Sequence, residues 1–198
     1  MRTLYDTPCD RVRVGRRAYK IKASFDTVLF CLQALKADDM SEADKIRLCV
    51  SLLVVHPPRA MAEKEKVLRA VLQAINEEPE KQDADKPPCM DFDQDAEYIR
   101  AAFWQQYGIN LDEQRGRMSW PMFCSLLGGL TDATAFIRIV QIRAKEIPPP
   151  NKHNAEERRA LAEAKARFAL KEKPGEAQGR FLRKFGAIAS KIATMSQS

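Results

Sequence analysis

The chain has little of the raw material of catalysis. Two histidines occur in 198 residues. His56 precedes Pro57-Pro58 at a helix end and His153 lies in a polar stretch, and neither sits in a triad-like or metal-like arrangement. No phosphate-cradling loop is present, because Leu127-Gly128-Gly129-Leu130 lacks both the spacing and the Lys-Ser/Thr of such a loop. Long apolar runs are missing too. The longest, Leu48 to Val55, is far too short to span a bilayer and contains Ser51. Met1-Arg2-Thr3-Leu4-Tyr5-Asp6 has no apolar run behind its positive charge, unlike a secretory signal. The five cysteines (Cys9, Cys31, Cys49, Cys89, Cys124) are odd in number and unevenly spaced, which fits neither a disulfide framework nor a zinc pattern. Cys31 and Cys49 fall on apolar helix faces and are expected to be small buried hydrophobes. These exclusions leave the expectation of a soluble, cytoplasmic binding protein with no catalytic residue, metal or cofactor, and with no membrane partner.

Apolar residues make up 45% of the chain, enough for a real core, and the formal net charge is +6. That charge is unevenly placed. Residues 1–22 carry 7 basic and 2 acidic groups, residues 23–150 carry 15 and 20, and residues 151–198 carry 11 and 5. An acidic centre between two basic ends concerns partners more than fold.

Alternation marks the start of the fold. Val12 and Val14 alternate with Arg, and Tyr19 and Ile21 alternate with Lys, around Gly15, which predicts a β-hairpin with Gly15 at a positive-φ turn position. Helical spacing follows: Ser24 as a cap before Phe25, Val28, Leu29, Leu32 and Leu35, then Ser41 as a cap before a helix facing inward through Ile46, Cys49, Val50 and Leu53 and stopped by Pro57-Pro58. A third helix is expected from about Arg59 to Ile75, with Met61, Leu68, Val71, Leu72 and Ile75 inward. Residues 76–90 are polar and unperiodic and are read as a mobile loop. Asp91 to Tyr107 is read as a helix ended by Gly108, Ser119-Trp120-Pro121 opens a short helix ending at Gly128-Gly129, and Thr131 is expected to cap the last core helix before Pro148-Pro149-Pro150. The fold class is therefore mainly α: a compact domain of about six helices with an N-terminal hairpin over residues 1–150, then a basic helical extension over 151–198. Two helices are expected in that extension, Asn154 to Lys173 and a basic amphipathic one from Gly179 to Thr194.

The alternating acids of Asp91-Phe92-Asp93-Gln94-Asp95-Ala96-Glu97 resemble the start of a calcium loop. Ala96 stands where glycine should make the turn, however, and Ala102 where a bidentate Glu should close it, so the acids are read as helix capping and dipole groups. The amphipathic segment with Phe181, Phe185 and Ile188 beside Arg180, Arg183 and Lys184 is a candidate partner-binding element. The competing readings are a solvated or packed tail, nucleic acid and an anionic membrane surface. Nucleic acid lacks any motif or stacking platform to support it. Trp104 and Trp120 are candidate interface anchors, set against core packing beside Phe103 and Phe123.

The stretch from Met90 to Asp112 resembles the phage gene-product-fifteen family of tail-assembly-chaperone-like proteins. The likeness is carried by Asp91-Phe92, Asp95-Ala96, Tyr98-Ile99, Ala102-Phe103, Gln106-Tyr107-Gly108-Ile109 and Leu111. Ser119-Trp120-Pro121-Met122-Phe123 with Leu126 to Leu130, the closing stretch Ile139 to Ile147 with Arg143, and the start Tyr19 to Phe25 extend it over about residues 10–150. The resemblance implies a chaperone that binds the tape-measure protein of a long-tailed phage and keeps it soluble in the host cytoplasm while tail-tube subunits polymerise. It implies tape-measure and tail-tube partners, possible self-association, no enzymatic activity and absence from the mature virion. The alternatives are a structural tail or connector component, or a nucleic-acid-binding protein using the basic tail.

Overall fold

The two alternating runs pair as expected. In the computed structural model, which describes residues 10–75 and 89–171, β1 (Arg11–Val14) and β2 (Arg17–Lys20) are antiparallel, with Val12 opposite Tyr19. Val12 and Tyr19 are buried while Arg11, Arg13 and Lys20 fall outside the buried set, so the period-2 pattern has one apolar face. Gly15 supplies the positive φ of the connecting turn, +59°, and Arg16 does not share it, as in hairpin turns with glycine first.

Seven helices follow among the described residues: α1 (Phe25–Lys36), α2 (Glu42–Leu53), α3 (Met61–Ile75), α4 (Ala96–Tyr107), α5 (Trp120–Gly128), α6 (Ala135–Ala144) and α7 (Ala155–Arg167). They fall into two units. The first holds residues 10–75 and 112–125, and the second holds 89–111 and 126–171.

In the first unit α1 buries Phe25, Val28, Cys31 and Leu32, one helical stripe, and packs on α2, which buries Cys49, Val50 and Leu53. The Ser41 hydroxyl accepts the Asp44 amide at 3.2 Å, the N-cap expected from sequence. Ser24 occupies the cap position of α1, but its hydroxyl meets Thr27 Oγ1 at 2.8 Å instead of a backbone amide. α2 stops at Leu53, short of Pro57. Val54 turns extended and bridges to Ile21, while the Lys22 amide reaches Leu53 O and the Val55 amide reaches Lys20 O. Strand pairing, rather than proline, ends this helix. α3 packs against α2 and β1 through Val67, Leu68 and Val71, and Val67 lay off the expected stripe. Cys31 and Cys49 are buried as expected, with the Cys49 thiol 3.7 Å from Cys31 O. The hydrogen bond with Cys49, and then burial, push the Cys31 thiol up. Residues 112–125 are tied to the start of α1: the Phe25 amide reaches Met118 O at 3.1 Å, and the Trp120 amide reaches Ala23 O at 2.8 Å.

In the second unit α4 packs on α6, and α6 on α7. Gly108 closes α4 in the left-handed region (φ 64°, ψ 20°), with its amide on Trp104 O at 2.9 Å. A Cβ built on Gly108 would meet nothing within 4 Å. Gly108→Ala is therefore expected to cost about 1–2 kcal/mol through backbone strain alone, and Gly108→Asn less. Urea midpoints of the two variants measure this, and equal losses would assign the cost to something other than φ.

Two expectations about helix starts are corrected. α4 begins at Ala96, not Asp91, because the Asp91 side chain folds residues 91–95 into a turn by accepting the amides of Asp93 and Gln94, each at 2.9 Å. The cap of α6 is Thr134, whose hydroxyl accepts the Ile137 amide at 3.4 Å. Thr131 is occupied elsewhere, its amide and hydroxyl both donating to Gln106 Oε1. Cys89 and Met90, assigned to the mobile loop, are buried. The rest of that loop, residues 76–88, lies outside the described residues.

Candidate functional site

The segment from Met90 to Leu111 combines a buried electrostatic joint with an exposed aromatic face. The joint is built from Asp95 and Arg143. Arg143 NH1 and NH2 donate to Asp95 Oδ2 and Oδ1 at 2.7 and 2.9 Å, a two-pronged pair between side chains 11% and 1% exposed. The same guanidinium donates to Cys89 O at 3.2 Å and, through Nε, to Phe168 O at 2.5 Å. Asp95 Oδ2 also accepts the Asp91 amide at 2.9 Å. One arginine thus joins the turn before α4, the cap of α4 and the end of α7. Burial pushes the Cys89 thiol up, against the opposing pull of the Arg143 charge, so Cys89 is a poor nucleophile.

The other end of α4 is clamped as firmly. Gln106 donates to Gly129 O at 2.9 Å and accepts from Thr131, while the Tyr107 hydroxyl donates to Leu126 O at 2.8 Å. Between the two ends Ile99, Ala102 and Phe103 enter the core, and the Phe103 and Tyr107 rings meet edge to face at 5.8 Å. Asp91, Asp95 and the Gln106-Tyr107-Gly108 run are therefore architectural. Among the described residues no group of three His, Cys, Asp or Glu is placed to hold a metal ion.

With its inner face and both ends fixed, α4 turns Glu97, Tyr98, Ala101, Trp104 and Gln105 outward. Tyr98 is 38% exposed and Trp104 is 64% exposed, the largest exposure among the big apolar side chains described. Ala101 lies between them on the same exposed face of the helix. Holding a large aromatic ring in water gives nothing to folding, and such rings are the side chains that anchor interfaces.

Of the sequence candidates, Trp104 faces solvent and Trp120 does not. Trp120 is 1% exposed and stacks on Phe123 at 5.6 Å, which in turn stacks on Phe25 at 5.0 Å. It is a core residue of the first unit, so its role as an exposed anchor is corrected. Its phase explains this, because Trp120, Phe123 and Leu127 recur on one buried helical face. Trp104 follows Phe103 and is rotated out by one residue. Tyr98, which sequence reasoning did not nominate, is three residues before Ala101 on the same outer face, a phase relation visible once Ile99 and Phe103 are taken as inward. Arg180, Phe181, Arg183, Lys184, Phe185 and Ile188 lie outside the described residues. Among the described residues, no helix is long and apolar enough to cross a membrane.

The profile of the family described as Bacteriophage Gp15 protein matches residues 8–170. No curated protein and no solved structure matches the chain. The family match runs past Pro150, where the resemblance read from sequence stopped, and takes in α7 and the Phe168 carbonyl held by Arg143.

Proposed function

The chain belongs to the bacteriophage Gp15 protein family, and on that premise we propose that it is a tail-assembly chaperone that binds the tape-measure protein and keeps it soluble while the tail tube polymerises. The observation that carries the reading is the outward strip of α4, where Trp104 and Tyr98 stay exposed on a helix whose other face and both ends are fixed. A tape-measure protein is a long helix, and an unsheathed one displays apolar stripes that aggregate. A rigid helix offering two aromatic rings fits such a stripe by helix-to-helix docking. Many copies could cover one client, each binding weakly enough for tube subunits to displace it. The activity is non-catalytic and needs no cofactor. It takes place in the host cytoplasm, with the chaperone left out of the finished particle.

Co-expression with the phage's own tape-measure protein is the test. A soluble complex should form with the intact chain, and Trp104→Ala should weaken it by about 2 kcal/mol or more, roughly thirtyfold. The same substitution should move folding stability by less than about 0.5 kcal/mol, as expected for an exposed side chain. An insoluble client with no co-purifying complex would sink the proposal. Abundant chain in purified virions would favour a structural tail component instead.

A further inference from the structure

The first unit contains a cleft of about 530 Å³ where the hairpin meets the connection between α2 and α3. Arg11, Arg17, Lys20 and Arg59 line it, together with His56. Pro57 gives it an exposed apolar edge, and the buried Tyr19 and Pro58 also line it. We propose that this cleft binds a carboxylate-bearing segment of a partner protein, an Asp/Glu-rich peptide that places its acids on the cations and its backbone against Pro57.

The cations come from both faces of the hairpin, Arg17 on the Tyr19 side and Arg11 with Lys20 on the other, and from the turn before α3. Period-2 alternation sends Val12 and Tyr19 to the core and leaves Arg11 and Lys20, paired across the two strands, on the other side. Arg59 comes from the turn before α3. The early end of α2 leaves His56 and Pro57 exposed beside the hairpin, because the Leu53 carbonyl and the Val55 amide bond to the strand end instead of continuing the helix. Lys20 and Arg59 form no ion pair among the described residues.

One carboxylate of the chain already shows how this chemistry is received. Glu63 Oε1 accepts the Tyr19 hydroxyl at 2.5 Å and the Arg17 guanidinium at 3.4 Å. A carboxylate thus sits beside a tyrosine and an arginine of the cleft wall, and Lys20 and Arg59 remain for carboxylates brought by a partner.

The observations favour a peptide over nucleic acid. Binding a polynucleotide depends on a run of cations that neutralise successive phosphates. Here Asp10 pairs with Arg11 and Glu63 with Arg17, at 3.9 and 3.4 Å, interrupting that run. The volume suits a few side chains, and the Pro57 edge suits a peptide backbone. The inference rests on the first unit alone and stands or falls separately from the α4 face and its client.

The test is fluorescence anisotropy of the full chain with a fluorescein-labelled hexaglutamate peptide, read at low and near-physiological salt. Saturable binding that weakens with salt is expected. Arg59→Glu and Lys20→Glu should each weaken it about tenfold or more, with thermal melting unchanged because both side chains lie at the surface. Reversing Arg180, Arg183 and Lys184 together should leave the affinity within about twofold, which separates the cleft from the basic tail. Affinity indifferent to Arg59→Glu and Lys20→Glu would overturn the proposal. So would a duplex DNA of equal charge that binds more tightly and is lost through the same two reversals. Complete displacement of the peptide by millimolar inorganic phosphate would reduce the cleft to a simple anion site and also overturn it.

Discussion

Arg143→Met is expected to destabilise the chain by about 3–5 kcal/mol, the usual cost of removing one partner from a buried ion pair. The loss is large because three partners are stranded at once. Asp95, 1% exposed at its side chain, keeps a carboxylate with no cation facing it. The Cys89 and Phe168 carbonyls lose their guanidinium donors. Arg143→Lys should recover less than half of the stability, because an ammonium is a point donor and cannot hold both carboxylate oxygens in a fork while reaching two carbonyls. The double variant Asp95→Leu/Arg143→Met should be more stable than Arg143→Met, since no unpaired charge remains buried, yet below the parent because the Asp91 amide also loses its acceptor. Urea midpoints of the four proteins give the comparison. A loss below about 1 kcal/mol for Arg143→Met would place the pair with ordinary surface salt bridges.

Trp120→Ala should cost about 3–5 kcal/mol, the range for emptying a large aromatic site in a core. The ring is 1% exposed and lies at one end of a stack that runs through Phe123 to Phe25, so its removal leaves a void bordered by aromatic surfaces that cannot close over it. The two tryptophans allow a separate optical check. Trp104→Phe should leave a blue-shifted emission from Trp120 that iodide barely quenches. Trp120→Phe should leave a red-shifted, readily quenched emission from Trp104. Equal quenching in the two variants would contradict the burial of one ring and the exposure of the other.

The contrast between these tryptophans shows where sequence reasoning reached and where it stopped. Gly15, Ser41 and Gly108 were legible because a turn or cap is decided within three or four residues. The buried stripes of α1 and α2 were legible in part from their spacing, as was the burial of Cys31 and Cys49, while α3 buries Val67 with Leu68 and Val71 and leaves Met61, Leu72 and Ile75 half-buried. The errors occurred where a distant partner decided the outcome. Thr131 and Thr134 are equally good caps on paper, and Gln106, twenty-five positions before Thr131, claims the first. The local stop signal for α2 is Pro57-Pro58, yet strand pairing with Ile21 ends the helix earlier. Arg143 could be placed on a helix face, but its acid lies 48 positions away and its two carbonyls 54 and 25. No local pattern announces a partner at such separations. Of the candidate binding face, Trp104 was named, but the phase that separates it from Trp120 and adds Tyr98 had to be taken from α4 as a whole.

The hydrogen bond from Arg143 to Phe168 O, with those from Lys165 Nζ to Arg143 O and Lys145 O at 2.7 Å each, determines how the chain can be shortened. Pro148-Pro149-Pro150 reads as a natural seam, and a cut there would seem to remove only an appendage. It would in fact uncover the guanidinium on one side, take two carbonyl caps from the end of α6 and remove the Asn154 side-chain Nδ2 donor from Pro149 O. Lost client binding after such a cut would report a loosened joint as readily as a missing contact. A stop after Lys171 keeps every one of these bonds and removes only residues 172–198, so it is the boundary at which a role for the basic tail can be read without breaking the Arg143 joint.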